Sequence, residues 1–194
     1  KFALLATLGE IIALRIRSGY YNQPGFGILP RSIVWGFLGL AINIAFQIFS
    51  SGGPVFLAYL GLVNAPDAMK GGFSLLKLMD AFTISTAMNL TFAPVMMTFH
   101  KVTDTHITNT GGTVKGLFSP IPFAAIFKNM NWDVMWNFIF KKTIPFFWIP
   151  AHTITFLLPA EFRVLFAALL GIALGLILAI GSQKAAGEKV MVKG

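Results

Sequence analysis

The stretch VLFAALLGIALGLILAIG, Val164 to Gly181, decides the fold. It carries no charge and no proline. At about 1.5 Å per residue it reaches about 27 Å as a helix, close to a hydrocarbon core of about 30 Å. Its apolar residues are continuous rather than alternating with polar ones, which separates it from the strands of a barrel. Small residues recur every fourth position at Ala167, Gly171, Gly175 and Ala179, so one helical face lets another helix approach closely. The plainer reading of that face is packing inside a bundle; a dimer seam is the alternative.

Working outward, four more blocks of similar character appear, at 2–16, 32–49, 73–99 and 143–158. With 164–181 they predict one all-α domain over 1–194, a polytopic transmembrane bundle of about five spans. Ser32 to Val63 is uncharged for about 48 Å of helix, too long for one straight span. The run SSGGP at Ser50 to Pro54 is therefore read as a break, leaving 55–63 on the membrane surface. Segment 117–140 is read as amphipathic and interfacial. Pro145 and Pro150 predict kinks in the fourth block, which Pro159 closes.

Composition agrees. Of 194 residues, 56% are hydrophobic and 11% charged, against about 25% charged in soluble domains. The net charge of +8 sits between the apolar blocks, where it meets anionic headgroups, so the lipid bilayer and not nucleic acid is the expected partner. Five spans place Arg15, Arg17, Arg31, Lys101, Lys115, Lys128, Lys141, Lys142, Lys184, Lys189 and Lys193 on one side. Lys1, Lys70 and Arg163 fall on the other. The positive-inside rule then predicts the N-terminus outside and the C-terminus inside, in an inner, cytoplasmic or organelle membrane.

Ionisable and polar groups at membrane depth mark cavities or pairs. Glu10 lies mid-block and is expected to face polar groups on another helix. Lys77 and Asp80 are three apart and share a face, either pairing or lining a pore. His152 follows Pro150 and is read either as a core histidine bonded to a freed carbonyl or as a pore-lining group. His100, Asp104 and His106 fall in what reads as a loop, without the spacing of a metal site. No metal and no cofactor are expected. No phosphate loop, dinucleotide fingerprint, HExxH or nucleophile elbow occurs, so an enzyme is not expected either.

Three stretches resemble the Mpv-seventeen family of small peroxisomal and mitochondrial inner-membrane proteins. Gly9-Glu10 matches its Gly-Asp in type, with Leu14 where the family has glutamine. Gly36-Phe37-Leu38-Gly39 follows a second motif without its proline, with Asn43 in a histidine position and Phe46 in a tyrosine position. Trp148, His152, Thr155-Phe156, Pro159 and Arg163 follow a third, with His152 replacing glutamine, Thr155 replacing asparagine and one residue missing before Pro159. Asp80 resembles the acidic residue of a further motif, although Ala81 is not its glutamine.

The resemblance implies a protein of four spans forming a weakly selective channel for small solutes. Glu10, Asn43, Lys77, Asp80 and His152 are the expected polar lining. The alternative is a structural or accessory subunit of a larger membrane complex, or a homo-oligomer, docked through the Gly171 and Gly175 face. A weaker third reading is pigment or haem ligation by His152 or His100.

Overall fold

The computed structural model describes residues 1–191, with side chains described through Ile177, and every regular element among them is helical. In chain order these are α1 (Phe2–Ser18), α2 (Ile28–Tyr59), α3 (Ala65–Ala68), α4 (Leu75–Asn109), α5 (Val114–Leu117) and α6 (Phe123–Asn129). A π-helix (Val134–Trp148) then runs into α7 (Ile149–Leu157), and α8 (Ala160–Met191) is the last described element. The all-helical class is as expected. Among the described residues, two helices are long and apolar enough to cross a membrane, Ile28–Tyr59 and Ala160–Ile177, with mean hydropathies of 1.8 and 2.0.

α4 is the central rod, packed on α2, α7 and the π-helix, while α1 bridges α2 and α8. Ile42 and Phe46 of α2, Ile84 and Met88 of α4, and Phe156 of α7 form the main core. A second cluster joins Val102 to Ile126, Met130 and Met135. The polarity is inverted relative to a water-soluble bundle. Asp80, Ser85, Asn89 and Thr155 are fully buried, whereas Phe37, Leu40, Ile44 and Ile48 of α2 and Phe82, Leu90 and Val95 of α4 are exposed. Such continuous apolar exposure requires a cover that is not water.

Several segment boundaries differ from expectation. α2 runs unbroken through SSGGP to Tyr59, so 55–63 is its last turns and the following bend rather than a separate surface piece. The reason is packing: a Cβ at Gly53 would lie 2.6 Å from Ile84 Cγ1, so the glycine serves close approach of α2 to α4. α4 likewise continues past Phe99 to Asn109, placing His100, Asp104 and His106 on a helix and not in a loop. Val102, Thr103, His106 and Ile107 are buried and extend its inward stripe.

The interval 117–140 divides between α5, α6 and the first half of the π-helix, and the second half of that helix enters the 143–158 block. One rod therefore spans Val134 to Leu157. Its wide winding is visible in bonds that reach five residues, from Ile149 N to Ile144 O and from Thr143 Oγ1 to Phe138 O at 3.1 Å. The break comes at Leu158, and Arg163 caps it. Its Nε donates to Leu158 O at 3.0 Å and its Nη2 to Phe156 O at 3.1 Å, filling acceptors that a helix end leaves open. Nη1 reaches Ser50 Oγ at 3.3 Å, tying the start of α8 to α2.

Candidate functional site: a partitioned cavity

Glu10 stands on the inward side of α1, where α2 and α4 both reach it. Arg31, in the first turn of α2, donates from Nη1 to Glu10 Oε2 at 2.7 Å and to Asp104 Oδ1 at 2.6 Å. Its Nε donates to Phe26 O at 2.7 Å, and the guanidinium lies 4.5 Å from the Phe26 ring. Arg31 is thus held on three sides. Trp35, one turn along α2, donates from Nε1 to Glu10 Oε1 at 2.7 Å. His100 Nε2 lies 3.1 Å from the same oxygen, and its ring packs against that of Trp35, centroids 4.4 Å apart and tilted by 41°.

The spacing explains the cluster. Arg31 and Trp35 are four apart on α2, and His100 and Asp104 are four apart on α4, so each pair projects from one face. Glu10 meets polar groups of other helices, as expected for a carboxylate in mid-block, and its partners Arg31 and, through Arg31, Asp104 come from distant parts of the chain. Only the i, i+4 pairing of His100 with Asp104 carried a signal for it. Glu10, His100 and Asp104 each offer one ligand atom within 4.8 Å of the others, a three-ligand cation geometry. Arg31 Nη1 already bonds an oxygen of each carboxylate.

On one side of this network lies a polar vestibule of about 520 Å³, lined by Arg17, Arg31, Lys101, Asp104 and the loop at Gln23 to Phe26. On the other lies a cavity of about 200 Å³ within the bundle, walled by Phe2, Ile42, Phe46, Phe92 and Met96 among others. Glu10 and His100 line both spaces. The ion-paired network is therefore the wall between them.

The far end of the inner cavity is polar again. Ser85 Oγ donates to Ile149 O at 2.7 Å, while Asn89 Nδ2 lies 2.9 Å from Ser85 O and 3.0 Å from His152 Nδ1. The His152 ring sits 5.1 Å from Trp148 and 5.7 Å from Phe46. Of the five expected lining residues, Glu10 and His152 thus border one cavity, at opposite ends. His152 bonds a side chain, not the freed carbonyl expected beside Pro150.

The other expected residues lie elsewhere. Asn43 is exposed on the outer face of α2, because Ile42, Ala45 and Phe46 take the inner one. Lys77 does not pair with Asp80: its Nζ donates to Gly71 O at 2.7 Å, back along the helix start. Asp80 is fully buried, and neither carboxyl oxygen has a hydrogen-bond partner among the described residues. Gly9 and Gly39 are close-approach positions, against Ile172 of α8 and Phe2 of α1, while Gly36 is looser, with Ala3 Cβ at 4.0 Å. Phe156 is wholly buried and Pro159 marks the α7 to α8 break.

The small-residue face of α8 is only partly packed within the bundle. Ala167 is buried, but a Cβ at Gly171 or Gly175 would meet no atom within 4 Å among the described residues. These positions line the inner cavity. Ala179 lies outside the residues whose side chains are described.

Fold and site together define an all-helical bundle with an internal cavity, closed from a polar vestibule by an ion-paired wall. No family model, curated protein or solved structure matches the chain.

Proposed function

We propose that this chain is a polytopic membrane protein that passes small solutes, as a weakly selective channel or carrier. The carrying observation is the shared wall: Glu10 and His100 face both the vestibule and the inner cavity, so a rearrangement of one network joins the two spaces. The five long rods, the outward apolar surface and the resemblance to the Mpv-seventeen family support the same reading. The vestibule carries Arg17, Arg31 and Lys101, which suits the cation-rich inner side of the membrane.

The test is flux through liposomes containing the purified chain, read as swelling in small neutral solutes. Native protein is expected to exceed empty vesicles several-fold. Gly171→Leu adds a side chain at a cavity-lining position where a Cβ meets no described atom within 4 Å, and is expected to lower that flux about tenfold while the protein remains folded. Native flux at the empty-vesicle level, or flux indifferent to that substitution, sinks the proposal.

One observation favours the accessory-subunit or homo-oligomer reading. Asn43 and Gln47 are exposed on α2 beside Ile44 and Ile48, four apart, and have no hydrogen-bond partner among the described residues. Amides on a lipid-facing helix seek a partner helix. If that reading holds, Asn43→Leu with Gln47→Leu converts a larger species in mild detergent to monomer. An unchanged size removes it.

A further inference from the structure

The far end of the inner cavity has a direction. Ser85 spends its hydroxyl proton on Ile149 O, and Asn89 Nδ2 donates to Ser85 O, which fixes the orientation of the amide. The same nitrogen lies 3.0 Å from His152 Nδ1, nearer than Asn89 Oδ1 at 3.3 Å, and the shorter contact has the amide N–H donating to that ring nitrogen. A ring nitrogen that accepts is unprotonated. The single N–H of His152 is therefore on Nε2, which has no hydrogen-bond partner among the described residues, and His152 lines the cavity. Trp148 Nε1, on the neighbouring ring 5.1 Å away, is buried without an acceptor among the described residues. Buried donors are rarely left unpaired without a reason.

The walls between this end and Glu10 are aromatic and aliphatic, and among the described residues no lysine or arginine lines the cavity. An anion entering it meets the Glu10 carboxylate at the opposite end, with His100 already engaged by that carboxylate at 3.1 Å. The volume of about 200 Å³ exceeds the roughly 150 Å³ that accommodates benzene in an engineered apolar cavity, leaving room for one ring and a short substituent.

We infer that the inner cavity binds compact, uncharged, mainly apolar molecules carrying a carbonyl-type acceptor, which His152 Nε2–H receives. This rests on the cavity being the solute site, and it names the solute class that the wall of Glu10 and His100 admits.

Binding is measured on the full chain in nanodiscs, with empty nanodiscs subtracted, using acetophenone, ethylbenzene and benzoate as probes. Acetophenone is expected to bind roughly fivefold more tightly than ethylbenzene, the worth of about one net hydrogen bond, and at least tenfold more tightly than benzoate. His152→Phe is expected to abolish the preference for acetophenone while retaining ethylbenzene. Equal binding of the two neutral probes to native protein, or a preference that survives His152→Phe, overturns the inference.

Where that variant does not fold, the ¹⁵N shifts of His152 in native protein decide, and a proton on Nδ1 overturns the assignment. Flux without acceptor preference defeats this inference alone. Preference without flux defeats only the transport reading.

Discussion

Arg31→Met is expected to lower the free energy of unfolding by about 3 kcal/mol, the lower end of what breaking a buried ion pair costs. The side chains of Glu10 and Asp104 are 19% and 22% exposed, towards the vestibule, so water offsets part of the loss. What remains is two carboxylates with oxygens within 4.8 Å of each other and His100 Nε2 shared between them, 3.1 Å from Glu10 and 3.6 Å from Asp104; where that ring is neutral their repulsion reaches about 3 kcal/mol at an effective dielectric of about 20. Phe26 O also loses its donor.

Arg31→Lys is expected to recover only part, because an ammonium lacks the planar fork that reaches Phe26 O and both carboxylates together. Removing the charges as a set should do better. Arg31→Met combined with Glu10→Gln and Asp104→Asn leaves no uncompensated ion, and is expected to return to within about 1 kcal/mol of native, since whole buried ion sets are often dispensable for stability. Denaturation in micelles, followed by helical circular dichroism, measures all three. A single Arg31→Met variant within 1 kcal/mol of native would show that the network is not what holds α1, α2 and α4 together. The triple variant separates stability from closure. If the network is the wall, that protein is stable yet passes solute faster than native.

How much of this was readable beforehand depends on the kind of contact. The rods were legible because apolar runs are local: Phe2, Ser32 and Val164 each open a stretch whose composition is sufficient. Glu10 was legible as a problem, a carboxylate mid-block without a neighbour. Its solution was not, because Arg31 is 21 positions away and Asp104 is 73 from Arg31, and no periodicity links positions that only helix packing brings together.

The polar composition of His100 to Asn109 suggested a loop, yet Val102, Thr103, His106 and Ile107 keep the helical spacing of the preceding inward face. That spacing was the missed signal. SSGGP misled for a related reason. Gly53 looks like a breaker in isolation, and only the position of Ile84 shows that a missing side chain is needed there. Lys77 and Asp80 have the spacing of a pair, but Lys77 turns back to the helix start while Asp80 enters the core.

Gly112→Ala is expected to cost about 3 kcal/mol, and its neighbour Gly111→Ala only about 1 kcal/mol. Both glycines are left-handed, at φ +70° and +75°, so both alanines meet the same conformational penalty of about 1 kcal/mol. The surroundings differ. At Gly111 a Cβ meets nothing within 4 Å, whereas at Gly112 it would lie 2.8 Å from Gly27 N and 2.9 Å from Gly25 C. Those are backbone atoms, which cannot rotate aside, so the loop before α2 has to move.

That loop carries Phe26, whose carbonyl holds Arg31 Nε and whose ring lies under the guanidinium. Displacing it loosens Arg31 from a distance. Gly112→Ala is therefore expected to destabilise the protein and to raise solute flux, while Gly111→Ala leaves flux at the native level. Equal effects of the two substitutions on stability would mean that the contact between Gly27 and Gly112 contributes nothing. A flux change in Gly111→Ala as large as in Gly112→Ala would mean that the wall is not held through Phe26.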